Sequence, residues 1–103
     1  GHSLGGAIAA IVGSRQHLPT LAVSPPGTLY SAQRFLTSRK ELTKYLTVIQ
    51  PDHDVVSQID EQVGFVQNIR CRPDNPMKCH ILGTTVQTLY DSCGDPRGRT
   101  LRQ

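Results

Sequence analysis

Aromatic side chains are scarce in this 103-residue chain: two Phe, three Tyr and no Trp. Those few do not alternate with the basic residues, which argues against a stacking platform for nucleic acid. No apolar run approaches the roughly 18 residues that a membrane helix needs. Internal repeats, low-complexity tracts, phosphate-cradling glycine loops and N-x-S/T acceptor sites are also missing. Charge is close to balanced, with 11 Lys and Arg against 8 Asp and Glu, for a net +3. Part of the excess is local, because Arg97, Arg99 and Arg102 crowd the final residues. We read 95–103 as a solvated basic tail; the alternative is contact with anionic lipid head groups or nucleic acid. At 37% hydrophobic and 18% charged, the composition is that of a globular polypeptide rather than a disordered one.

What the chain does have is concentrated at its start. Gly1-His2-Ser3-Leu4-Gly5-Gly6 contains G-x-S-x-G through Gly1, Ser3 and Gly5. The pattern has a mechanical purpose. A serine hydroxyl attacks carbonyl carbon only when a base can take its proton, and it must stand clear of its own backbone. A sharp strand-to-helix turn lifts it out, with glycines on either side to let strand and helix pass. The amide of Leu4 then faces a developing oxyanion at the start of a helix. This is the nucleophile elbow of α/β-hydrolases. Leu4 to Gln16 reads as the helix that must follow, with Leu4, Ile8, Ile11 and Val12 on one face and Ala7, Ala9 and Ala10 as strong helix formers. The strand that should precede it does not appear. A complete sheet of this type takes roughly twice this length. We therefore expect a partial α/β-hydrolase fold, a parallel sheet with covering helices, in which 1–94 is the C-terminal part of a larger domain lacking its N-terminal strands.

Downstream, Thr20 to Ser24 is a short apolar strand stopped by Pro25-Pro26-Gly27. Thr28 to Lys40 reads as a loop with a short surface helix. Tyr45 to Ile49 is the next strand, rich in β-branched residues and closed by Pro51. Strand, crossover, strand implies parallel pairing. Functional groups in such sheets gather at the carboxyl ends of strands. Asp52 and Asp54 both lie there, and either can orient a histidine. Four histidines are candidate bases. His2 is next to Ser3, and its side chain is expected to point away from the site. His17 ends the first helix, where imidazole commonly serves as a cap. His53 follows the strand too closely to reach back. His80 follows another strand-like piece, Val63 to Ile69, and completes the chain order Ser, Asp, His. His80 is preferred, with His53 as the alternative.

With these residues in view, the chain resembles the class 3 lipases, the fungal-type triacylglycerol lipase family. Gly1-His2-Ser3-Leu4-Gly5-Gly6-Ala7 is the family's favoured form of the elbow. Val23-Ser24-Pro25-Pro26-Gly27 resembles the strand and proline turn after its first crossover. Asp54-Val55-Val56 resembles the segment of its catalytic Asp, although Ser57 stands where the family usually has Pro, a change expected to affect loop rigidity only. Lys78-Cys79-His80 resembles the histidine segment of the branch that includes vacuolar lipases. The resemblance covers most of residues 1–90. It implies a serine hydrolase acting on acylglycerol or phospholipid esters at a lipid interface, with Ser3, Asp54 and His80 as triad, Leu4 as an oxyanion donor, and no metal or organic cofactor. A second oxyanion donor and a lid would belong to the N-terminal half of the domain. Activity is expected of the larger parent, whereas this stretch by itself is expected to be inactive. The alternatives are a truncated piece with no working site, a non-catalytic α/β-hydrolase-like protein, or a thioesterase, acyltransferase or peptidase built on the same triad.

Three cysteines allow at most one internal bridge. Cys71 and Cys79 flank the turn-like Pro73-Asp74-Asn75-Pro76, so a bridge between them would pin the loop carrying His80. Three reduced thiols are the alternative. A bridge would favour a secretory, vacuolar or lysosomal compartment over the cytoplasm. A zinc site from Cys71, Cys79, His80 and Cys93 is disfavoured, because adjacent Cys79 and His80 do not easily face one tetrahedral ion and there is no CxxC pair. Val86, Leu89 and Tyr90 suggest a last helix packed on the sheet, ended by Asp91 to Pro96.

Overall fold

The computed structural model describes residues 1–72 and 77–93, the side chains of Ser92 and Cys93 excepted. The proposed basic tail, with Arg97, Arg99 and Arg102, and the Cys93 thiol lie outside the described residues. Six principal elements follow one another: α1 (Leu4–Arg15), β1 (Thr20–Val23), α2 (Arg39–Tyr45), β2 (Leu46–Pro51), β3 (Phe65–Ile69) and α3 (Leu82–Cys93). Short 3-10 turns at Gln33–Phe35, Val56–Gln58 and Lys78–His80 punctuate the connections.

The sheet is three-stranded, parallel throughout, in the order β1-β2-β3. Residues 1–3 extend it past β1. Val23 N–H donates to Gly1 O at 2.9 Å, Ser3 N–H donates to Val23 O at 3.0 Å, and His2 bridges Val23 in parallel. Because all these segments run the same way, the chain leaves each of them at one common edge. That edge receives Ser3, then Ser24, then Asp52 to Asp54, then the segment leading to His80.

The core holds small residues where α1 meets the sheet and larger ones beneath α2: Ala10, Ala22, Ala32, Leu42, Leu46, Val48 and Val63. Helix α1 turns its small residues inward and much of its large apolar face outward. Gly6, Ala7, Ala10, Gly13 and Ser14 are its buried residues. Leu4, Ile8 and Val12 are 67%, 55% and 54% exposed. Small side chains win the inward face because they let helix and sheet backbones approach closely, and dispersion contacts depend on that closeness. The helix ends at Arg15 in a Schellman motif. His17 N–H donates to Ser14 O, Leu18 N–H donates to Gly13 O, and His17 takes φ 57° at the position usually held by Gly. Backbone, not imidazole, therefore caps this end. The His17 ring pairs with Glu41 at 3.2 Å and stacks on Tyr45 instead.

Helix α2 begins farther along than the sequence suggested and runs through Tyr45, so β2 starts at Leu46. Its start is set by Ser38, whose hydroxyl accepts from Glu41 N–H at 3.2 Å. Ser38-x-x-Glu41 is the spacing of a capping box. Buried hydroxyls fasten α1 to the loop before α2. Ser14 Oγ donates to Ile11 O, so the Ser14–Thr37 bond of 2.7 Å has Thr37 as donor.

Candidate active site

Ser3 occupies the turn between the sheet and α1 with φ 57° and ψ −129°. Positive φ is rare for a residue with a Cβ, and holding Ser there costs about 1–3 kcal/mol. A serine before a helix normally turns its hydroxyl onto the helix amides. Here it makes no such cap. The first-turn amides of Gly6 and Ala7 both donate to the Ser3 carbonyl oxygen instead, at 2.9 and 3.2 Å. The Leu4 amide sits at the first helical position and has no acceptor within the helix.

The two glycines of the motif do different things. A Cβ on Gly1 would collide with the backbone carbonyl of Gly5, so position 1 admits no side chain. A Cβ on Gly5 would meet nothing within 4 Å among the described residues. The expectation that both relieve a clash therefore holds for Gly1 alone. The second tight position is Gly6, whose Cβ would stand 3.1 Å from Pro25 Cβ.

From Ser3 a line of hydrogen bonds runs inward. Ser3 Oγ lies 2.7 Å from His80 Nε2. His80 Nδ1 lies 3.0 and 3.1 Å from the two carboxylate oxygens of Asp54. The protons can be assigned by elimination. A carboxylate only accepts, so Nδ1 carries the hydrogen toward Asp54. In the neutral ring Nε2 is then an acceptor, and Ser3 donates to it. The Asp54 side chain is fully buried and that of His80 is 12% exposed. A buried carboxylate needs several donors. Val56 N–H supplies one to Oδ1 at 2.9 Å, Ser57 N–H a longer one at 3.5 Å, and Ser57 Oγ–H one to Oδ2 at 3.1 Å.

Ser57 is thus more than a loosened turn. It is buried and gives the carboxylate a hydroxyl donor that a proline lacks. His2 also departs from expectation. Its ring does not point away; it stacks on His80 with centroids 5.1 Å apart, and its Nε2 lies 2.9 Å from the His80 carbonyl oxygen. Proximity in sequence to Ser3 does not set the direction of the His2 side chain, because the turn at Ser3 takes φ 57°. Asp52 and His53 are exposed and stand outside the line, His53 with φ 64°.

The Cys71 and Cys79 sulfurs are bonded to one another, with Cα atoms 5.8 Å apart. Neither is therefore a thiolate ligand, which removes the zinc reading. Cys79 is fully buried and His80 is its neighbour in the 3-10 turn.

Beside the line runs an apolar groove of about 540 Å³, with Leu4, Ile8, Val12, Phe35 and Leu36 among its walls. One of these, Leu4, is the residue after Ser3 in sequence, and the exposed face of α1 forms one side. Neither Ser3 nor His80 lines it.

No protein-family model matches the chain, and a search of curated proteins returns no match.

Proposed function

We propose that this chain carries the nucleophile, base and acid of a serine carboxylic-ester hydrolase, an α/β-hydrolase of the class 3 lipase type acting on acylglycerol or phospholipid esters. The observation that carries the reading is the unbroken line from Ser3 through His80 to buried Asp54, starting on a strained G-x-S-x-G turn. Three side chains from three loops, separated by 77 and 26 residues along the chain, meet there in donor-acceptor order. A purely structural polar cluster has no need of a nucleophile held at positive φ.

In this reaction Ser3 Oγ attacks the ester carbonyl carbon while its proton passes to His80 Nε2. Asp54 holds the Nδ1–H and stabilises the imidazolium without taking its proton. The carbonyl oxygen becomes an oxyanion facing the Leu4 amide. Collapse breaks the ester C–O bond, and the leaving alcohol takes the proton from His80. Water then gives a proton to His80 and attacks the acyl carbon; the acyl C–Oγ bond breaks, His80 returns the proton to Ser3 Oγ, and the acid leaves. The chemistry calls for neither metal nor organic cofactor. The groove with Leu4 among its walls suits the acyl chain rather than the reacting carbonyl, which supports a lipid ester. The Cys71–Cys79 bridge supports an oxidising compartment.

The test is covalent labelling of the intact protein with a fluorophosphonate. Wild type is expected to label, and Ser3→Ala and His80→Ala are each expected to lose labelling. Labelling that survives His80→Ala and fails in His53→Ala would transfer the base to His53. A folded protein that never labels would favour a non-catalytic role. A panel of glycerol esters, thioesters and peptides then separates a lipase from other hydrolases with the same triad.

A further inference from the structure

His80 has to keep its ring in one plane while it exchanges protons with Ser3 on one side and holds Asp54 on the other. Its own segment is poorly suited to this. It is the last residue of a three-residue 3-10 turn, and that turn forms no part of the sheet. The bonds to Ser3 and Asp54 fix the two ring nitrogens but leave the main chain and the tilt of the ring to other groups. His2 supplies both. Its Nε2 faces a carbonyl oxygen, which only accepts, so that nitrogen must carry a proton and donate at 2.9 Å. Its ring lies against the imidazole with an interplanar angle of 28°, inside the separation at which aromatic pairs attract. His2 itself is anchored by the parallel bridge to Val23, in the same run of backbone that holds Ser3.

We infer that His2 is a positioning residue for His80, tying the residue before the nucleophile to the main chain and ring of the base. The two residues that exchange the proton are then referenced to one backbone segment, 1–3, rather than to two independent loops. Displacement of a reacting group by about 1 Å costs on the order of 10²-fold in rate. The inference rests on the hydrolase reading for its kinetic consequence and on His80 geometry alone for its spectroscopic one.

The experiment compares wild type with His2→Ala, His2→Gln and His2→Phe in the intact protein. Gln keeps a donor at about the reach of Nε2, and Phe keeps the stacked ring. The fluorophosphonate labelling rate per folded molecule is expected to fall about 10- to 100-fold in His2→Ala and to recover partly in both His2→Gln and His2→Phe. The deshielded proton resonance of His80 Nδ1–H is expected to shift or broaden in His2→Ala and to sharpen again in the two rescuing variants. A merely structural role would lower the folded fraction and leave each folded molecule reacting at the wild-type rate, and that result would overturn the inference. So would a His2→Ala variant whose resonance and rate both match wild type, or one rescued by neither replacement. If wild type itself fails to label, the hydrolase reading falls, and the resonance alone decides: unchanged in His2→Ala, it overturns the positioning role as well.

Discussion

Ser3 Oγ and His80 Nε2 lie 2.7 Å apart, yet the two residues are held by different means. Ser3 is held by backbone: its N–H on Val23 O, two helix amides on its carbonyl, and a neighbouring Gly1 that takes Val23 N–H and admits no side chain. His80 has one local backbone bond, from its N–H to Met77 O, and is otherwise held by side chains and a cross-link: Asp54, His2, and a disulfide that ends at its neighbour Cys79. The position of Ser3, the proposed nucleophile, is therefore largely a property of a short stretch of chain. The position of His80, the proposed base, is assembled mostly from distant residues, and it should be the easier of the two to disturb without unfolding the molecule.

The strongest way to break this comparison is at the far end of the line. Asp54→Asn presents the ring with an amide that no longer demands the Nδ1–H tautomer. It is expected to slow labelling on the order of 10⁴-fold while leaving Ser3 at its strained turn. Comparable labelling by wild type and Asp54→Asn would remove Asp54 from the line. Next comes the cross-link. Removing it with Cys71→Ser and Cys79→Ser frees a loop with sequence separation 8. The chain-entropy account expects a loss of about 2.5 kcal/mol in unfolding free energy. If the base is the more delicate side, labelling per folded molecule also drops, by on the order of 10²-fold. Denaturant titration together with labelling kinetics reads both quantities, and a stability loss at constant rate would show that Asp54 and His2 seat His80 without the cross-link.

A smaller effect tests the carboxylate's own support. Ser57→Ala deletes one hydroxyl donor to Asp54 Oδ2 and leaves the two amides. Hydrogen bonds to charged groups contribute about 1.5–3 kcal/mol. A rate loss of about tenfold is expected, with Ser57→Thr recovering part of it by restoring the hydroxyl. No change in Ser57→Ala would mean that the amides suffice. The smallest effect concerns the backbone on the nucleophile's side. Ser3→Ala keeps the strain of φ 57°, whereas Ser3→Gly relieves it. Ser3→Gly is expected to be the more stable of the two by about 1 kcal/mol. Equal melting temperatures would mean the elbow stores no strain.

Much of this was legible in the residues. Glycine, serine and glycine ahead of an alanine-rich segment marked the turn and α1. β-Branched runs bounded by proline marked β1 and β2, and the acid after β2 was placed by the rule that groups gather at strand ends. The surface helix expected within Thr28 to Lys40 lies farther along, at Arg39–Tyr45, because apolar spacing does not locate the ends of a polar helix, although Ser38 and Glu41 carry its capping signal. Apolar periodicity identified the stripe on α1 but not what the stripe meets, and the structure leaves Leu4, Ile8 and Val12 exposed. His2 and Ser57 were missed for a different reason. Each acts through a turn whose dihedral angles reorient neighbouring side chains, and strand alternation does not describe such a turn.

Local chemistry in the sequence by itself determined the G-x-S-x-G turn, the helix after it and the individual strands, since each rests on residues within about a dozen positions of one another. Tertiary structure alone decided that His80 rather than His53 faces Ser3, that Asp54 rather than Asp52 is buried behind it, and that Cys71 joins Cys79. It also decided that His2 stacks on the base. Those outcomes depend on where parallel strands deliver their loops in space, and that is fixed by sheet register and packing across the whole chain, not by any local run of residues.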